Sequence, residues 1–272
     1  MPLVVCATPI GNLEDVTLRV LRALAEADLV LCEDTRRTRI LLDRHGITAR
    51  RLLSLHEHNE ATRLRTLLPR LVAGETLALV SDAGLPGVSD PGMALVTATL
   101  GAGVPVTVLP GASAVETALV ASGLLRREYR FLGFLPRQEA ALTRLWEESR
   151  GWPYAVVAFE SPRRLPRALA TLADLSPERE VAVCRELTKR FEQVARGTAR
   201  ALAAQFAEPV KGEVTIVVAP EPAEPDGDEH AAAAVAELVA AGATRRTAVE
   251  VVARLVGTPR NRLYEESLDA RD

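Results

Sequence analysis

Lysine is almost missing from this chain. Of its 33 basic residues only Lys189 and Lys211 are lysine, in RELTKRFE and KGE. Ammonium and guanidinium groups are not interchangeable, so the two survivors reflect either chance or a need for a compact cation. Cysteine is scarce as well. Cys6, Cys32 and Cys184 are odd in number, widely spaced and set in apolar runs, which predicts buried free thiols. No Cys/His cluster has zinc spacing, so no metal site is expected. His56 and His58 form either a metal pair or a polar loop after RLLSL, and the loop is the simpler reading. No apolar run is long enough to span a bilayer. The opening MPLVVCATPIGN has no basic region and is too short for a secretory signal. A cytoplasmic protein without a membrane partner is expected. G-x-G-x-x-G after the first strand, G-x-x-x-x-G-K-[ST] and G-x-S-x-G are all missing, which disfavours a dinucleotide fold, a P-loop and a nucleophile elbow. A net charge of −3 excludes polyanion binding by bulk charge.

What is present is globular: 272 residues, 48% apolar and 25% charged, enough for one large or two ordinary domains. Residues 1–122 alternate short apolar runs (3–7, 29–33, 51–55, 77–84 and PVTVLPG) with amphipathic helical stretches, the first capped from Asn12–Asp15. Strands apolar on both faces and separated by helices imply a mainly parallel sheet covered by helices. Residues 123–220 form a second α/β unit, with strands at 131–135, 155–160, 181–187 and 214–220 and helices from near Ala140, Arg163 and Arg200. Residues 221–229 read as a linker. Residues 230–272 read as a small helix-turn-helix-like segment broken at Gly242 and Gly257-Thr258-Pro259.

In open α/β sheets, ligands bind beyond the carboxyl ends of the strands. Three loops rich in Gly, Pro and small polar residues fall there: TPIGNLED (8–15), SDAGLPGVSDPG (81–92) and PGASA (110–114). Glycine allows close backbone approach, and the helix N-termini that follow offer free amide donors. Each alone is compatible with a plain turn; three at one sheet edge favour a small-ligand site. Clustered arginines (Arg36, Arg37 and Arg39; Arg163, Arg164 and Arg167; Arg245, Arg246, Arg260 and Arg262) are either solvated helix faces or phosphate contacts.

The ordered series VVCATPIGNLEDVTLRVLRAL, CEDTRRT, SLHEHNE, LALVSDAGLPGVSDPG, VLPGASA, GFLPR, FESPRRL, RELTKRFE and KGEVTIVV resembles the bacterial 16S ribosomal RNA (cytidine-2′-O)-methyltransferase family. That family lies in the tetrapyrrole methylase-like superfamily, class III of the S-adenosyl-L-methionine methyltransferases. The resemblance spans about residues 3–219. It implies two α/β subdomains with a cofactor cleft between them, a small C-terminal helical appendage and a homodimer. The implied substrate is a cytidine in the decoding region of 16S rRNA within the small ribosomal subunit. Leu85 stands where the family usually has Thr, and Arg163 where His is frequent.

By this resemblance the donor site comprises Pro9, Gly11, Ser81, Asp82, Ala83, Gly84, Ser89, Asp90, Pro110, Gly111, Ser113 and Ala114. Asp82 and Asp90 are equally suited to capping their own loops. Phe159 and Leu187 supply either adenine walls or core packing. A 2′-hydroxyl is a weak acid, so some group must accept its proton or stabilise the alkoxide. The candidates are Glu160, Glu186, Lys189 and Glu213. Lys189 would act as an electrostatic stabiliser, or as a base if burial depresses its pKa. Glu186 has an ion pair with Arg185 or Arg190 as its alternative role. Arg36, Arg37, Arg39, Arg163 and Arg164 are the candidate RNA contacts. Two other functions fit less well: a tetrapyrrole methylase, whose first loop should resemble GxGPGD rather than TPIGNLED, and a non-catalytic SAM- and RNA-binding module.

Overall fold

The computed structural model describes residues 2–87, 91–125, 127–221 and 226–269. Contacts divide it into two compact units, residues 1–220 and 221–272.

The first unit begins with strand β1 (Leu3–Cys6), helix α1 (Leu18–Glu26), β2 (Leu29–Cys32), α2 (Thr35–Arg44), β3 (Leu52–Ser54), α3 (Glu60–Val72), β4 (Leu77–Val80), α4 (Met93–Gly101) and β5 (Val106–Leu109). The five strands form a parallel sheet in the order β3-β2-β4-β1-β5. Alternate residues face opposite sides of the sheet and helices cover both, so β1, β2 and β4 are apolar throughout. Leu3, Val5, Leu29, Leu31, Leu77 and Leu79 pack on one face with Leu67 and Leu71 of α3 and Leu95 of α4. Val4, Cys6, Val30, Cys32, Ala78 and Val80 pack on the other with Val20 and Leu24 of α1 and Leu41 and Leu42 of α2. Thr17, not the Asn12–Asp15 stretch, caps α1: its hydroxyl accepts from the Val20 amide, while Asn12 Oδ1 closes a local turn on Glu14 N.

The chain continues through α5 (Ala114–Ser122), β6 (Tyr129–Phe134), α6 (Glu139–Ser149), β7 (Ala155–Glu160), α7 (Leu165–Leu175), β8 (Glu180–Arg185), β9 (Gln193–Thr198), α8 (Ala199–Gln205) and β10 (Val214–Val218). The second sheet, β6-β7-β10-β8-β9, is mixed: β6 and β7 are parallel, the other pairs antiparallel. Strand β9, QVARGT, has no apolar run and was not expected; its pairing with β8 along six residues creates it. One face of this sheet buries Val156, Val183 and Ile216 against α6, α7 and α8. The other buries Val157, Ala182, Cys184 and Val217 against Val115, Ala118 and Leu119 of α5 and against Ile10. Thus α5, grouped by sequence with the first 122 residues, packs on the second sheet, and the 8–12 loop reaches the same core. All three cysteines are free and buried; burial raises Cys6 to about 12 and Cys184 to about 11.

In the second unit, α9 (Asp226–Ala240), α10 (Arg245–Val256) and α11 (Arg260–Asp269) enclose Val235, Val249, Val252 and Leu263. The expected linker 221–229 is helical from Asp226 onward, and residues 222–225 lie outside the described residues. Among the described residues no helix is long and apolar enough to cross a membrane.

Candidate active site

The three glycine-rich loops leave the carboxyl ends of β1, β4 and β5, the strands that pair through β1. Thr8 and Gly84 exchange backbone hydrogen bonds, Thr8 N to Gly84 O at 2.8 Å and the reverse at 3.0 Å. The Thr8 hydroxyl also donates to Ser81 O at 3.0 Å. Buried Ser81 donates to the Ala83 and Gly84 carbonyls. Asp82 reaches out of its own loop. Its Oδ1 accepts from the Asp34 amide at 3.0 Å, and its carboxylate lies 3.5 Å from Arg37 Nε. It therefore ties the β4 loop to the start of α2. Ser89 and Asp90 lie outside the described residues.

Two adjoining recesses open here. The larger, about 640 Å³, is bordered by Asp82–Gly84, Pro110–Glu116, Phe159, Leu187 and Glu213. The smaller, about 260 Å³, is bordered by Thr8–Gly11, Arg37, Ser81, Asp82, Lys189 and Glu213. The expected donor-site residues divide between them: Gly84, Pro110, Gly111, Ser113, Ala114, Phe159 and Leu187 on the larger, Pro9, Gly11 and Ser81 on the smaller, Asp82 and Ala83 on both. The larger recess has the volume of a site for a drug-sized molecule. It is mostly apolar but meets the N-terminal turn of α5 and the carboxylates of Glu33, Asp82 and Glu213. Those features suit an adenosyl group joined to a cationic amino-acid tail.

Phe131 and Phe134 border the larger recess and were not expected there. They meet Phe159 edge-on, at centroid distances of 4.9 Å and 5.6 Å. Residues three apart on a regular strand face opposite ways. Here a bulge between them, with Gly133 at φ +67°, turns both toward Phe159. Glu33 also borders this recess; burial first, and then neighbouring Asp82, raise its pKa.

RELTK and KGE form a braced corner. Lys189 Nζ donates to Glu186 Oε1 at 2.8 Å and to Glu213 Oε2 at 2.9 Å. Glu186 Oε1 also accepts from the Glu213 amide at 2.9 Å. Burial, the largest influence on Lys189, opposes its charge, yet the two carboxylates outweigh it and the pKa is raised. Lys189 is therefore an ammonium; the alternative of a base depressed by burial does not hold. Glu186 is held below the usual carboxylate range, first by Lys189 and then by the Glu213 amide. Its partner is neither Arg185, which donates to Gln193 and to the Lys211 carbonyl, nor Arg190, whose guanidinium lies over Phe191. Glu186 and Thr188 hold φ of +52° and +65°, a conformation that disfavours residues with a Cβ. Gly212 makes room for Glu186, since a Cβ there would lie 2.3 Å from Glu186 Cγ.

Glu160 borders only the larger recess and is 3% exposed. It accepts from the Ser161 amide and pairs with Arg164 at 2.5 Å. Arg164, expected on RNA, also donates to the Leu135 carbonyl, so its half-buried guanidinium is engaged by protein partners. Arg36, Arg37, Arg39 and Arg163 are exposed. Arg36 forks onto Asp34, whose pKa it lowers to about 2, and Arg37 borders both recesses.

Removing Arg164 strands a buried carboxylate. Arg164→Met is expected to cost ~3–5 kcal/mol at neutral pH. Burial already raises the Glu160 pKa. A carboxyl raised on folding gives stability below its unfolded pKa that is lost as pH rises through the folded value. The deficit of Arg164→Met should therefore shrink on acidification toward about pH 5 and grow toward about pH 8. Denaturant titrations at the two ends check this, and a pH-independent deficit would count against it.

His56 and His58 sit side by side in the polar turn after β3. His56 Nε2 meets Asn59 Nδ2 at 2.9 Å, and the two rings pack edge-on. Among the described residues no group of three His, Cys, Asp or Glu side chains could hold a metal.

Residues 2–203 match the family described as Tetrapyrrole (Corrin/Porphyrin) Methylases. The chain is 44% identical to "Ribosomal RNA small subunit methyltransferase I" of Mesorhizobium japonicum over 98% of this chain and 91% of that protein. It is 40% identical to the protein of the same name from Halalkalibacterium halodurans, over 95% and 91%. In fold it is similar to uroporphyrin-III C-methyl transferase from Thermus thermophilus complexed with S-adenyl homocysteine, with a TM-score of 0.55, 19% identity and coverage of 80% and 97%. The chain belongs to the tetrapyrrole methylase family, alongside relatives named ribosomal RNA small subunit methyltransferase I, and is a methyltransferase that takes its methyl group from S-adenosylmethionine.

Proposed function

We propose that this enzyme methylates the ribose 2′-hydroxyl of a cytidine in the decoding region of 16S ribosomal RNA, with the donor in the larger recess and the acceptor nucleotide in the smaller. The observation that carries this reading is the corner where the recesses meet: Glu213 borders both, and the Lys189 ammonium it binds borders the acceptor side. The ribosomal substrate rests on the names of the relatives.

S-adenosylmethionine supplies an activated methyl group, so positioning dominates and no covalent enzyme intermediate is needed. Phe131, Phe134 and Phe159 would hold the adenine, and the N-terminal turn of α5 with Asp82 the polar groups of the donor. Lys189 stabilises the negative charge that grows on the 2′-oxygen. Glu213 accepts the proton; unlike Glu160, which borders only the donor side, and Glu186, which borders neither recess, it reaches both. Glu186 positions Lys189. Arg36, Arg37, Arg39 and Arg163 meet RNA phosphates. Recognition by RNA shape and ribosomal neighbours makes a net charge of −3 no obstacle. A cytoplasmic homodimer is part of the proposal; exposed Val108 on edge strand β5 and Val120 on α5 offer apolar surface for a second copy.

The test is methyl transfer from labelled S-adenosylmethionine to small ribosomal subunits from cells lacking this protein, with the product mapped by nuclease digestion and mass spectrometry. A 2′-O-methylcytidine in the decoding region is expected. No incorporation despite intact donor binding would point to a small-molecule methylase or a binding module.

A further inference from the structure

Four of the five phenylalanines have apolar or aromatic partners. Phe131, Phe134 and Phe159 pack together, and Phe206 is buried under the second sheet. Phe191 is the exception: it is 67% exposed and belongs to no apolar cluster among the described residues. Among the described residues its one ring contact is the Arg190 guanidinium, 5.4 Å from the ring centre, a cation–π distance.

The segment that displays it is firmly held. Lys189 N donates to Glu186 O and Glu192 N to Lys189 O, each at 3.0 Å. Thr188 N donates to the Glu192 carboxylate at 2.5 Å, and the Asn12 amide donates to Thr188 Oγ1 at 2.9 Å. With two non-glycine residues at positive φ, this loop is locked so that Lys189 reaches the acceptor recess while Phe191, two residues on, faces solvent. Two residues span at most about 7 Å of chain.

We infer that Phe191, backed by Arg190, is a stacking platform for a nucleobase flanking the methyl acceptor. This rests on the RNA reading of the site and adds the residue that grips the strand beside it. A protein-docking surface would need a contiguous apolar patch. Here the rest of residues 185–193 is charged or polar except Leu187, which is buried. A lone exposed aromatic backed by a guanidinium suits base stacking on a polyanionic strand, because every base offers a π-face and the Arg190 cation can meet a phosphate.

The test compares Phe191→Ala, Phe191→Leu and Phe191→Trp in the full chain, measuring KM and kcat with small ribosomal subunits, donor affinity, and mass by light scattering. Alanine and leucine should each raise KM about ten- to a hundredfold, with donor affinity and kcat at saturation retained, and tryptophan should stay near the parent. Leucine matching tryptophan would reduce the ring to a plain apolar contact and overturn the inference. So would an unchanged KM in Phe191→Ala, or a loss of affinity that tracks loss of a dimer, which would assign the ring to a second copy. If the parent enzyme methylates no subunit, the RNA reading fails first; if it does and the variants match it, only the stacking platform fails.

Discussion

Lys189→Met is expected to lower kcat about 10²–10³-fold, the scale of losing one oriented donor to a developing oxyanion, while donor affinity stays close to the parent value. The ammonium sits between the Glu186 and Glu213 carboxylates, at 2.8 and 2.9 Å, and borders the smaller recess. Its raised pKa keeps it charged through the neutral range. This separates two kinds of catalysis by pH. A lysine base depressed by burial would give a rate that climbs with pH as it loses its proton. An ammonium stabiliser gives no such limb from Lys189 below its ordinary value of 10.5. Lys189→Arg should restore only part of the rate, because a planar fork does not reproduce a compact head shared by two carboxylates. Single-turnover methylation with donor and RNA saturating, next to calorimetric donor binding, is the measurement. A Lys189→Met enzyme within a few-fold of the parent would remove lysine from the chemistry.

Gly11→Ala should be nearly as damaging, for a steric reason. A Cβ at Gly11 would lie 2.5 Å from Lys189 Cγ, 2.6 Å from Thr188 Oγ1 and 2.8 Å from the Leu187 carbonyl oxygen. The last is backbone of the braced loop, so relief requires the 185–192 loop and the 8–12 loop to move apart. Overpacking of this kind costs ~1–3 kcal/mol. A displacement near 1 Å at the reacting groups can cost about 10²-fold in rate. Lowered thermal stability together with a kcat loss is therefore expected. Gly101→Ala is the control: nothing lies within 4 Å of its Cβ position and its φ is not positive. It should leave both quantities essentially unchanged. Equal behaviour of the two variants in paired melting and methylation assays would show that the loops do not need this contact.

Much of the first sheet was legible because its strands are buried on both faces, so LVVC, LVLC and LALV stand out as apolar runs. Strand β9 was illegible for the converse reason, since QVARGT owes its conformation to β8 rather than to its own composition. The glycine-rich loops were legible as a group from where they leave the strands. Their partners were not. Asp82 looks locally like a turn cap, yet it reaches the Asp34 amide 48 residues away. Arg164 reads as one more basic residue on a helix, and only burial of Glu160 beneath it turns it inward.

By itself, then, the sequence determined the class of molecule: parallel α/β alternation, loops suited to a bound cofactor, and an ordered motif series that points to one family. It also marked Lys189 as unusual, through the rarity of lysine. The tertiary structure alone decided what that lysine is, because its protonation depends on carboxylates 3 and 24 residues away meeting it at one corner. It alone brought Phe131 and Phe134 to the same face, since a bulge breaks the strand period on which any reading of the sequence relies. Periodicity and composition are properties of neighbours along the chain, whereas charge state and cavity shape are set by groups the fold brings together from far apart.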